Sequence, residues 1–323
     1  MRVDIVIGTE KIGEAISVPW SSLKKDLWNF PCAFAQSELV RCLFHLRDAE
    51  LYLPGTGVTS SKLKLCPLND LGELGFDRRD IHDGFKLASS KTTYPALWGH
   101  DASKVFTLRQ APNSFLSPLS KSSEGRPLRE ANHLWKKAGR ILIAERLRLN
   151  TMRLTAVLVR EKILSNVWWT VVLKKFDAEP EKALALWLNS SLGIVLLLGY
   201  REETQGAWVD FKKPVLGQMP VLDVFGIGAR ARKKLAQAFD ALADRALLPL
   251  PEMANDPVRA AMDESIASAL GLPDFSVLRQ LLAREPITCL SMDRLIHDIP
   301  DGKAGPSLLF GFAQYSGSGY HEE

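Results

Sequence analysis

The sequence predicts an α/β fold in which a mixed sheet is followed by a helical tail. Three β-rich runs follow one another closely in the middle of the chain, and apolar residues then recur at helical spacing. The β-rich runs are RILIAERL (140–147), RLTAVLVR (153–160) and NVWWTVVLK (166–174). The helical patterns are Glu179–Leu198, Ala229–Leu248, Pro257–Leu270 and Phe275–Ala283. We expect the three runs to be neighbouring strands that the first of these helices covers.

The predicted elements also carry end signals. The second run is mostly apolar between Arg153 and Arg160, as expected of a central strand whose two ends reach solvent. Pro180 suits the first turn of the helix that follows. Asp256 and Asp274, each beside a proline, are candidate N-caps of the last two helices.

Composition divides the chain into four parts. Residues 1–59 form an N-terminal segment of uncertain role, residues 60–222 the α/β domain, residues 223–301 the helical tail and residues 302–323 a flexible C-terminus. Between residues 54 and 130, turn-forming residues predict loops with occasional short strands. A content of 46% hydrophobic and 24% charged residues is that of an ordinary globular protein.

The cysteines and the apolar segments predict a cytoplasmic protein that does not enter a membrane. The four cysteines have no regular spacing, which favours reduced thiols; they are Cys32, Cys42, Cys66 and Cys289. The N-terminus has charges inside its only apolar run, unlike a signal peptide. Ala183–Leu198 contains polar residues and is shorter than the roughly 20 residues needed to cross a bilayer. We expect a buried core helix there.

Charge is distributed unevenly along the chain, although the net charge is only +4. Residues 136–175 contain ten Lys/Arg and two Glu, a net charge of +8. Residues 235–323 contain thirteen Asp/Glu and six Lys/Arg, a net charge of −7. The first segment predicts a polyanionic partner, the alternative being a solvated strand surface. The acidic tail is a poor surface for DNA and would instead dock on a protein partner.

Residue types in the basic segment, and in the polar loop after the 179–198 helix, are those of a nucleic-acid interface. Lysine and arginine neutralise phosphates, and the candidates are Arg146, Arg148, Arg153, Lys174, Lys175, Lys212 and Lys213. Arginine, threonine and glutamine can read base edges and tryptophan can stack, and the candidates are Arg201, Thr204, Gln205 and Trp208. Gly206 would let the backbone approach a base closely.

Three other patterns do not predict a catalytic or metal site in this chain. The nearest metal-ligating residues lack zinc-site spacing; they are Cys32, Cys42, His45 and Cys66. The charged run 77–83 is typical of a solvated loop, with acid–base catalysis as the alternative. FGIG at 225–228 resembles the glycine loop with which methyltransferases bind S-adenosylmethionine, although no acidic ribose ligand follows it.

The segment between residues 184 and 224 resembles a known family. LALWLNSSLGIVLLLG, REETQGAWVDFKK and VLGQMPVLDV are similar to the C-terminal target-recognition region of adenine-N6 DNA methyltransferases from restriction-modification and phage-defence systems. The similarity extends over residues 70–290 and includes FDRRDIHDGF and YPALWGHDA. It implies a mixed-sheet domain that recognises a sequence in double-stranded DNA.

The chain departs from this family at the catalytic motif. Those enzymes bind the target amine with an Asn/Asp-Pro-Pro-Tyr/Phe motif, and this chain contains no Pro-Pro pair. The resemblance therefore implies DNA recognition without methyl transfer, with S-adenosylmethionine and the catalytic residues on a partner methyltransferase. No cofactor is expected in this chain. The alternatives are a complete methyltransferase that uses residues 225–228, and a structural subunit of a defence complex.

Overall fold

The computed structural model describes residues 34–99, 104–121, 125–175, 177–203 and 208–289, together with the backbone pairing of four short strands before them. The flexible C-terminus expected from the sequence lies outside the described residues.

Most strands are short. In chain order they are β1 (Arg2–Val3), β2 (Val6–Ile7), β3 (Glu10–Lys11), β4 (Ile16–Ser17), β5 (Glu50–Leu53), β6 (Gly57–Lys62), β7 (Leu65–Pro67), β8 (Gly72–Leu74), β9 (Phe85–Leu87), β10 (Pro95–Leu97), β11 (Arg109–Gln110), β12 (Ser114–Pro118), β13 (Gly139–Ala144), β14 (Arg146–Arg148), β15 (Ala156–Ser165), β16 (Trp168–Leu173), β17 (Glu202–Glu203), β18 (Trp208–Asp210) and β19 (Pro220–Leu222).

Apart from the first helix, the described helices of nine or more residues lie in the second half of the chain. In chain order the helices are α1 (Ser37–Arg47), α2 (Leu68–Leu71), α3 (Arg78–His82), α4 (Ala131–Trp135), α5 (Ala178–Asn189), α6 (Ser191–Gly199), α7 (Lys213–Gln218), α8 (Ala229–Leu242), a 3₁₀ helix (Leu250–Asn255), α9 (Pro257–Leu270), α10 (Ser276–Arg284) and α11 (Pro286–Cys289).

The central sheet has eight strands. Seven of them are hydrogen-bonded in the order β8–β16–β13–β15–β10–β12–β9, and the eighth, β11, pairs with β15. β10 and β11 run parallel to β15, whereas the other neighbours are antiparallel, so the sheet is mixed. The three β-rich runs form β13, β15 and β16, which are neighbours at the centre of the sheet. The predicted α/β fold class, with helices toward the C-terminus, is therefore confirmed.

β15 is interrupted by a charged bulge. Ile141 pairs with Leu158 and Gly139 with Ile163, so the register shifts and residues 160–162 have no matching partners in β13. These three residues, two of them cationic, are exposed between two buried halves of the strand. The sequence placed Arg160 at the end of a strand, whereas the structure places it in this bulge.

The helix expected at Glu179–Leu198 is broken at Ser190. α5 and α6 meet there at an angle of 72°. Ser190 has an extended backbone (φ −72°, ψ 164°), and its Oγ accepts a hydrogen bond from the backbone N–H of Gly193 at 3.1 Å. Serine is a favoured N-cap because it satisfies a free N–H at the start of a helix. Since nearly every residue on both sides of the break is buried, the apolar pattern runs through it unchanged.

The predicted core location of this apolar segment is confirmed. Every residue of α6 and most of α5 are buried. Within the described ranges no single helix is long and apolar enough to cross a membrane; α5 and α6 reach that length and composition only as a bent pair.

The tail helices pack on this broken helix rather than apart from it. α8 contacts α5, α9 contacts α8, and α10 contacts α6 and the 3₁₀ helix. Asp256 caps α9 as predicted, because its Oδ1 accepts hydrogen bonds from the backbone N–H of Val258 and of Arg259. Asp274 lies one residue further out than predicted, since α10 begins after an N-cap at Phe275. One hydrophobic core extends from Phe34 to Ala283.

Asn189, at the end of α5, fixes that helix to β15. Its Oδ1 accepts from the backbone N–H of Thr155 at 2.9 Å, and its Nδ2 donates to the carbonyl of Ala156 at 2.8 Å. Nδ2 also donates to the carbonyl of Ala185 at 2.8 Å, so the side chain closes its own helix turn. The buried amide therefore links the backbone at the start of β15 to the end of α5 by hydrogen bonds.

The next residues connect the break to the tail. Ser191 donates from Oγ to Asp263 at 2.6 Å, and Asp263 accepts from Arg279 at 2.9 Å. The fully buried Arg259 donates to the carbonyl of Asn189 and to that of Arg153, both at 2.6 Å. Sheet, broken helix and tail thus share one buried polar network.

Candidate nucleic-acid interface

Three of the predicted interface residues meet on a small ribbon formed by β14, β18 and β17. The ribbon is antiparallel, with Arg148 opposite Trp208 and Arg146 opposite Asp210. Between these pairs Leu147 faces Val209, and both are buried in the core. Because side chains alternate across a strand, the two arginines and Trp208 share the opposite face. We call this surface, with Asp210, Glu202 and the neighbouring Lys212, the ribbon face.

Arg146 lies between an aromatic ring and a carboxylate. Its guanidinium carbon is 5.5 Å from the centroid of the Trp208 ring, within cation–π range. Its Nε is 2.8 Å from Oδ1 of Asp210, in the geometry of an ion pair rather than of an aligned hydrogen bond. These contacts hold the guanidinium beside Trp208 and neutralise part of its charge.

The other cations of the ribbon face differ in their pairing. Lys212 is 3.2 Å from Asp210 and 4.0 Å from Glu202. Arg148, in contrast, forms no ion pair with any carboxylate of a described residue. Arg148 therefore presents the least neutralised positive charge on the ribbon face.

Glu145 connects the ribbon face to the segment before α3. Burial raises the pKa of Glu145; the carboxylates of Asp210 and Asp77 raise it further, and Lys212 and Arg78 lower it. These groups surround Glu145 where β13 passes into β14. The surface beside the ribbon is therefore an alternation of positive and negative side chains rather than a uniformly basic one.

The carboxylates of the charged run 77–83 serve the local fold. Asp77 caps α3 by accepting a hydrogen bond from the N–H of Asp80 at 3.0 Å. Asp83, which is buried, pairs with Arg126 at 2.6 Å. Asp80 pairs with Arg129 at 2.9 Å. These contacts favour a structural role of the run over acid–base catalysis, but the run forms α3 and buries Asp83 rather than being the solvated loop that the sequence predicts.

Trp98, which the sequence does not mark as a candidate, lies beside His82, which the sequence marks only as a possible acid–base or metal-binding residue of the run 77–83. Their ring centroids are 5.1 Å apart, edge to face. Burial and the charge of Arg78 lower the pKa of His82, which keeps the imidazole neutral near neutral pH. The backbone brings this pair close to Glu145, because Gly99 donates to Asn166 and Glu145 donates to the next residue, Val167. The only signal for Trp98 in the sequence is its position next to the turn-forming pair Gly99-His100.

Lys213 does not lie freely at the surface. Its Nζ donates to the carbonyl of Gly75 at 2.8 Å, which fixes α7 to the end of β8. Burial and the charge of Lys137 lower the pKa of Lys213. The ammonium therefore already serves the fold, whereas the sequence suggested a phosphate contact for it.

Arg201 is buried, which is incompatible with the expected contact to a base. Its exposed fraction is 3%. Nη1 donates to the carbonyl of Leu198 at 2.6 Å, and the guanidinium carbon is 5.6 Å from the centroid of Phe34. The arginine follows α6 directly and closes the C-terminal end of that core helix, where a cation is favourable.

Arg153 also serves the fold. Its Nη1 donates to the carbonyl of Leu247 at 2.9 Å, and its own carbonyl accepts from Arg259. The side chain thus joins the entry to β15 to the segment after α8. Thr204, Gln205 and Gly206 lie outside the described residues.

Lys174 and Lys175 are exposed, but on a different surface. They follow the last residue of β16, whereas the ribbon adjoins its first residue, Trp168, which pairs with Ala144. Six residues of strand separate the two positions by roughly 20 Å. The predicted phosphate contacts therefore fall on two surfaces.

The first N–H groups of the glycine loop at 225–228 are hydrogen-bonded to the preceding Asp223. The carboxylate of Asp223 accepts from the N–H of Phe225 at 3.1 Å and of Gly226 at 2.8 Å. A Cβ at Gly226 would lie 2.0 Å from Oδ2 of Asp223, so a larger residue there would require the carboxylate to shift from its present contacts. The preceding strand, β19, pairs antiparallel with β7 outside the central sheet. A methyltransferase cofactor loop instead uses free N–H groups after a strand of a parallel sheet, so this geometry disfavours cofactor binding here.

The described residues contain no group of three or more His, Cys, Asp or Glu side chains that could hold a metal ion. Cys42 is fully buried, and burial raises the pKa of its thiol well above the usual range. Burial and the charges of Asp223 and Asp70 raise the pKa of the Cys66 thiol to about 11. Neither thiol is activated as a ligand or nucleophile.

No protein-family model matches this chain, and no curated protein matches it. Among solved structures, the chain is similar to the HsdS subunit from Thermoanaerobacter tengcongensis, with a TM-score of 0.32 and 10% sequence identity. The alignment covers 83% of this chain and 52% of that subunit, so the chain spans about half the length of its neighbour.

Proposed function

We propose that this chain binds double-stranded DNA through the ribbon face and selects the sequence at which a separate adenine-N6 methyltransferase acts. The observation that carries the proposal is the meeting of Arg146, Arg148 and Trp208 on one outward face whose reverse side is anchored in the core. The major groove of B-DNA admits a two-stranded β-ribbon, and β14 and β18, which carry these three residues, form such an antiparallel pair.

The residues of the ribbon face divide into two roles. Arg148 is the principal phosphate contact, because no described carboxylate neutralises it. Arg146, fixed beside Trp208 by Asp210, positions the aromatic ring toward a base or sugar. Phosphate contacts position a protein on DNA, whereas base contacts determine sequence.

Base reading is assigned to the residues that connect β17 to β18. Thr204, Gln205 and Gly206 stand between Glu203 and Trp208 in the sequence, and both flanking strands belong to the ribbon. Threonine and glutamine have the donor and acceptor groups that distinguish base pairs in the major groove. With Arg201 buried, Gln205 becomes the main candidate for a bidentate contact to adenine.

Methyl transfer is assigned to a partner that carries S-adenosylmethionine. Two features support this division: the sequence has no Pro-Pro pair, and the N–H groups of Phe225 and Gly226 in the 225–228 loop donate to the carboxylate of Asp223. The acidic C-terminal region is the surface proposed to contact the partner, because it would repel DNA.

The DNA-binding role is tested by charge reversal on the ribbon face. We expect Arg148→Glu to weaken binding to a fluorescein-labelled duplex at least tenfold and to reduce the dependence of the binding constant on salt. Arg160→Glu, the same change in the exposed bulge of β15, is the matched control and should have a small effect. Fluorescence anisotropy across a salt series measures both quantities.

Sequence selection is read in the same preparation by enrichment from a random duplex pool. Wild-type protein should enrich a defined sequence, and Gln205→Ala should lose the preference at one base pair while keeping the salt dependence. Equal binding by Arg148→Glu and wild type would refute the ribbon face as the DNA contact, and an unenriched pool would refute sequence selection.

A further inference from the structure

Exposed lysines from two distant segments converge on the loop before α8. Nζ of Lys64 donates to the carbonyl of Gly226 at 2.9 Å. Nζ of Lys175 lies 5.9 Å from the ring centroid of Phe225, and Lys174 precedes it at the end of β16. The loop thus brings together cations that are far apart in the sequence.

α8 adds a cationic stripe immediately after this loop. Arg230, Lys233 and Lys234 are exposed and stand at positions i, i+3 and i+4, which lie on one face of a helix. Arg232 faces the other way, with Nε 3.7 Å from Oε2 of Glu179. The stripe therefore faces solvent, whereas Arg232, on the other side of the helix, anchors α8 to α5. We call the six exposed cations the α8 patch: Lys64, Lys174, Lys175, Arg230, Lys233 and Lys234.

The α8 patch is not neutralised by the protein. Within the described part of the chain, none of its six cations forms an ion pair with a carboxylate, unlike Arg146 and Lys212 of the ribbon face. The nearest carboxylate of the loop, Asp223, accepts hydrogen bonds from the N–H of Phe225 and of Gly226. Asp70 and Asp223 also lie near Cys66 together with Lys174, so carboxylates are present beside the patch although they form no ion pair with its cations.

The arrangement also costs stability in the free protein. Cations in the first turns of a helix oppose the positive end of its dipole, and like charges at i, i+4 repel. The N-cap of α8 is Gly228, which contributes no side-chain cap. The patch cations at the start of α8 thus carry an electrostatic cost that no ion pair with a carboxylate of the described residues offsets. An anion bound from outside the protein would offset this cost.

We propose that the α8 patch binds the phosphodiester backbone of DNA without regard to base sequence, as a second contact distinct from the ribbon face. A protein partner fits the patch less well, because the cores of protein interfaces are apolar and poor in lysine. The large exposed hydrophobic residues lie outside α8, β16 and the 225–228 loop; they are Val58, Leu87, Phe106 and Leu128. DNA interfaces, in contrast, are strongly positive. The choice of DNA as the anion rests on the proposed function.

The experiment removes three charges from the patch of the full chain. The test variant is Lys174→Gln, Lys175→Gln, Lys233→Gln, and the matched control is Lys86→Gln, Lys91→Gln, Lys121→Gln, which changes three exposed lysines elsewhere. Binding to a labelled duplex of random sequence is measured by anisotropy over a salt series. Thermal unfolding checks that both variants are folded, which is expected because all six lysines are exposed.

We expect the slope of log K against log salt to fall by roughly 0.9 for each DNA phosphate that the test variant no longer neutralises, and to stay unchanged in the control. Enrichment from a random duplex pool should retain the wild-type sequence preference. A slope equal to that of wild type would overturn the α8 patch as a DNA contact. The ribbon proposal fails separately: it falls if Arg148→Glu leaves binding and selection unchanged while the patch variant still reduces the slope.

Discussion

Asn189 shows at the scale of one residue how a motif that resembles a recognition element can serve the fold. Leu188, Asn189 and Ser190 belong to the segment that resembles target-recognition regions most, yet the polar side chains of Asn189 and Ser190 are buried. The Oδ1 and Nδ2 atoms of Asn189 are both hydrogen-bonded to the backbone, at the start of β15 and within its own helix. In this chain the side chain of Asn189 therefore joins a core helix to a strand and has no free polar group for base reading.

The consequence is a stability prediction. Asn189→Ala would leave the N–H of Thr155 and the carbonyl of Ala156 buried without the partners that they have now. Each buried backbone group left unpaired costs about 1–3 kcal/mol, so we expect the free energy of unfolding to fall by about 3 kcal/mol.

Urea unfolding followed by tryptophan fluorescence measures this decrease. Asn132→Ala is the control, because Asn132 is exposed and its Oδ1 lies 3.4 Å from the hydroxyl of Tyr94; it should change the unfolding free energy by less than about 0.5 kcal/mol. Similar decreases in both variants would mean that the amide network does not stabilise the fold.

At the scale of elements, the sequence predicts those parts that burial patterns determine. β13, β15 and β16 follow from their apolar runs, and α9 has the predicted bounds Pro257–Leu270 because its N-cap and its C-terminal glycine are both visible. These elements are long enough for periodicity to distinguish helix from strand.

Other elements escape prediction for physical reasons. The ribbon strands are only two or three residues long, and β14 pairs with β18 about 60 positions further along the chain, so no local pattern indicates this pairing. The bulge of β15 depends on the register against β13, which single-strand patterns do not contain. Arg201 follows a core helix, and its burial depends on the distant ring of Phe34. Candidate site residues are thus predictable by type, whereas their exposure is decided by tertiary packing.

The break between α5 and α6 gives the prediction for this scale. A Cβ at Gly193 would lie 2.1 Å from the carbonyl oxygen of Trp187 and 2.9 Å from Cα of Leu188. Both are backbone atoms that cannot move without opening the 72° bend. We expect Gly193→Ala to reduce the free energy of unfolding by about 2–3 kcal/mol.

Gly271→Ala separates this clash from ordinary backbone strain. Gly271 ends α9 with φ +68° and has open space around it, so alanine there should cost only about 1 kcal/mol. Denaturant unfolding of both variants gives the comparison. An equal or smaller cost at Gly193 would show that α5 and α6 can separate freely.

For the molecule as a whole, net charge read from the sequence overstates the positive surface of the central segment. Several of its ten cations are used internally: Lys137 pairs with Glu73, Arg140 with Glu181 and Arg146 with Asp210. Others lie near opposite ends of β16, with Arg148 beside its first residue and Lys174 and Lys175 after its last. The molecule therefore presents two modest cationic surfaces, the ribbon face and the α8 patch, in place of one continuous basic face.

The fold is closed by a contact between distant parts of the chain, and this contact makes stability depend on pH. Oε1 of Glu285 accepts from the N–H of Ala35 at 2.7 Å, and the carboxylate also accepts from Nε2 of Gln36 at 3.1 Å. Burial raises the pKa of Glu285, while the hydrogen bond from Ala35 and the charge of Arg201 oppose the rise.

Because the pKa of Glu285 is higher in the folded protein than in the unfolded chain, where it is about 4.3, the folded state holds the proton more tightly. Its contribution to stability is fully present below the unfolded value and disappears as the pH rises through the folded value. Glu285→Gln keeps an acceptor for Ala35 and removes the titration. The unfolding free energy of wild type relative to this variant should therefore decrease as the pH rises above about 4.3. Urea unfolding at a series of pH values measures it, with the exposed Glu252→Gln as control. A difference that is constant or increases with pH would show that the carboxylate is stabilised in its charged form by Ala35 and Arg201.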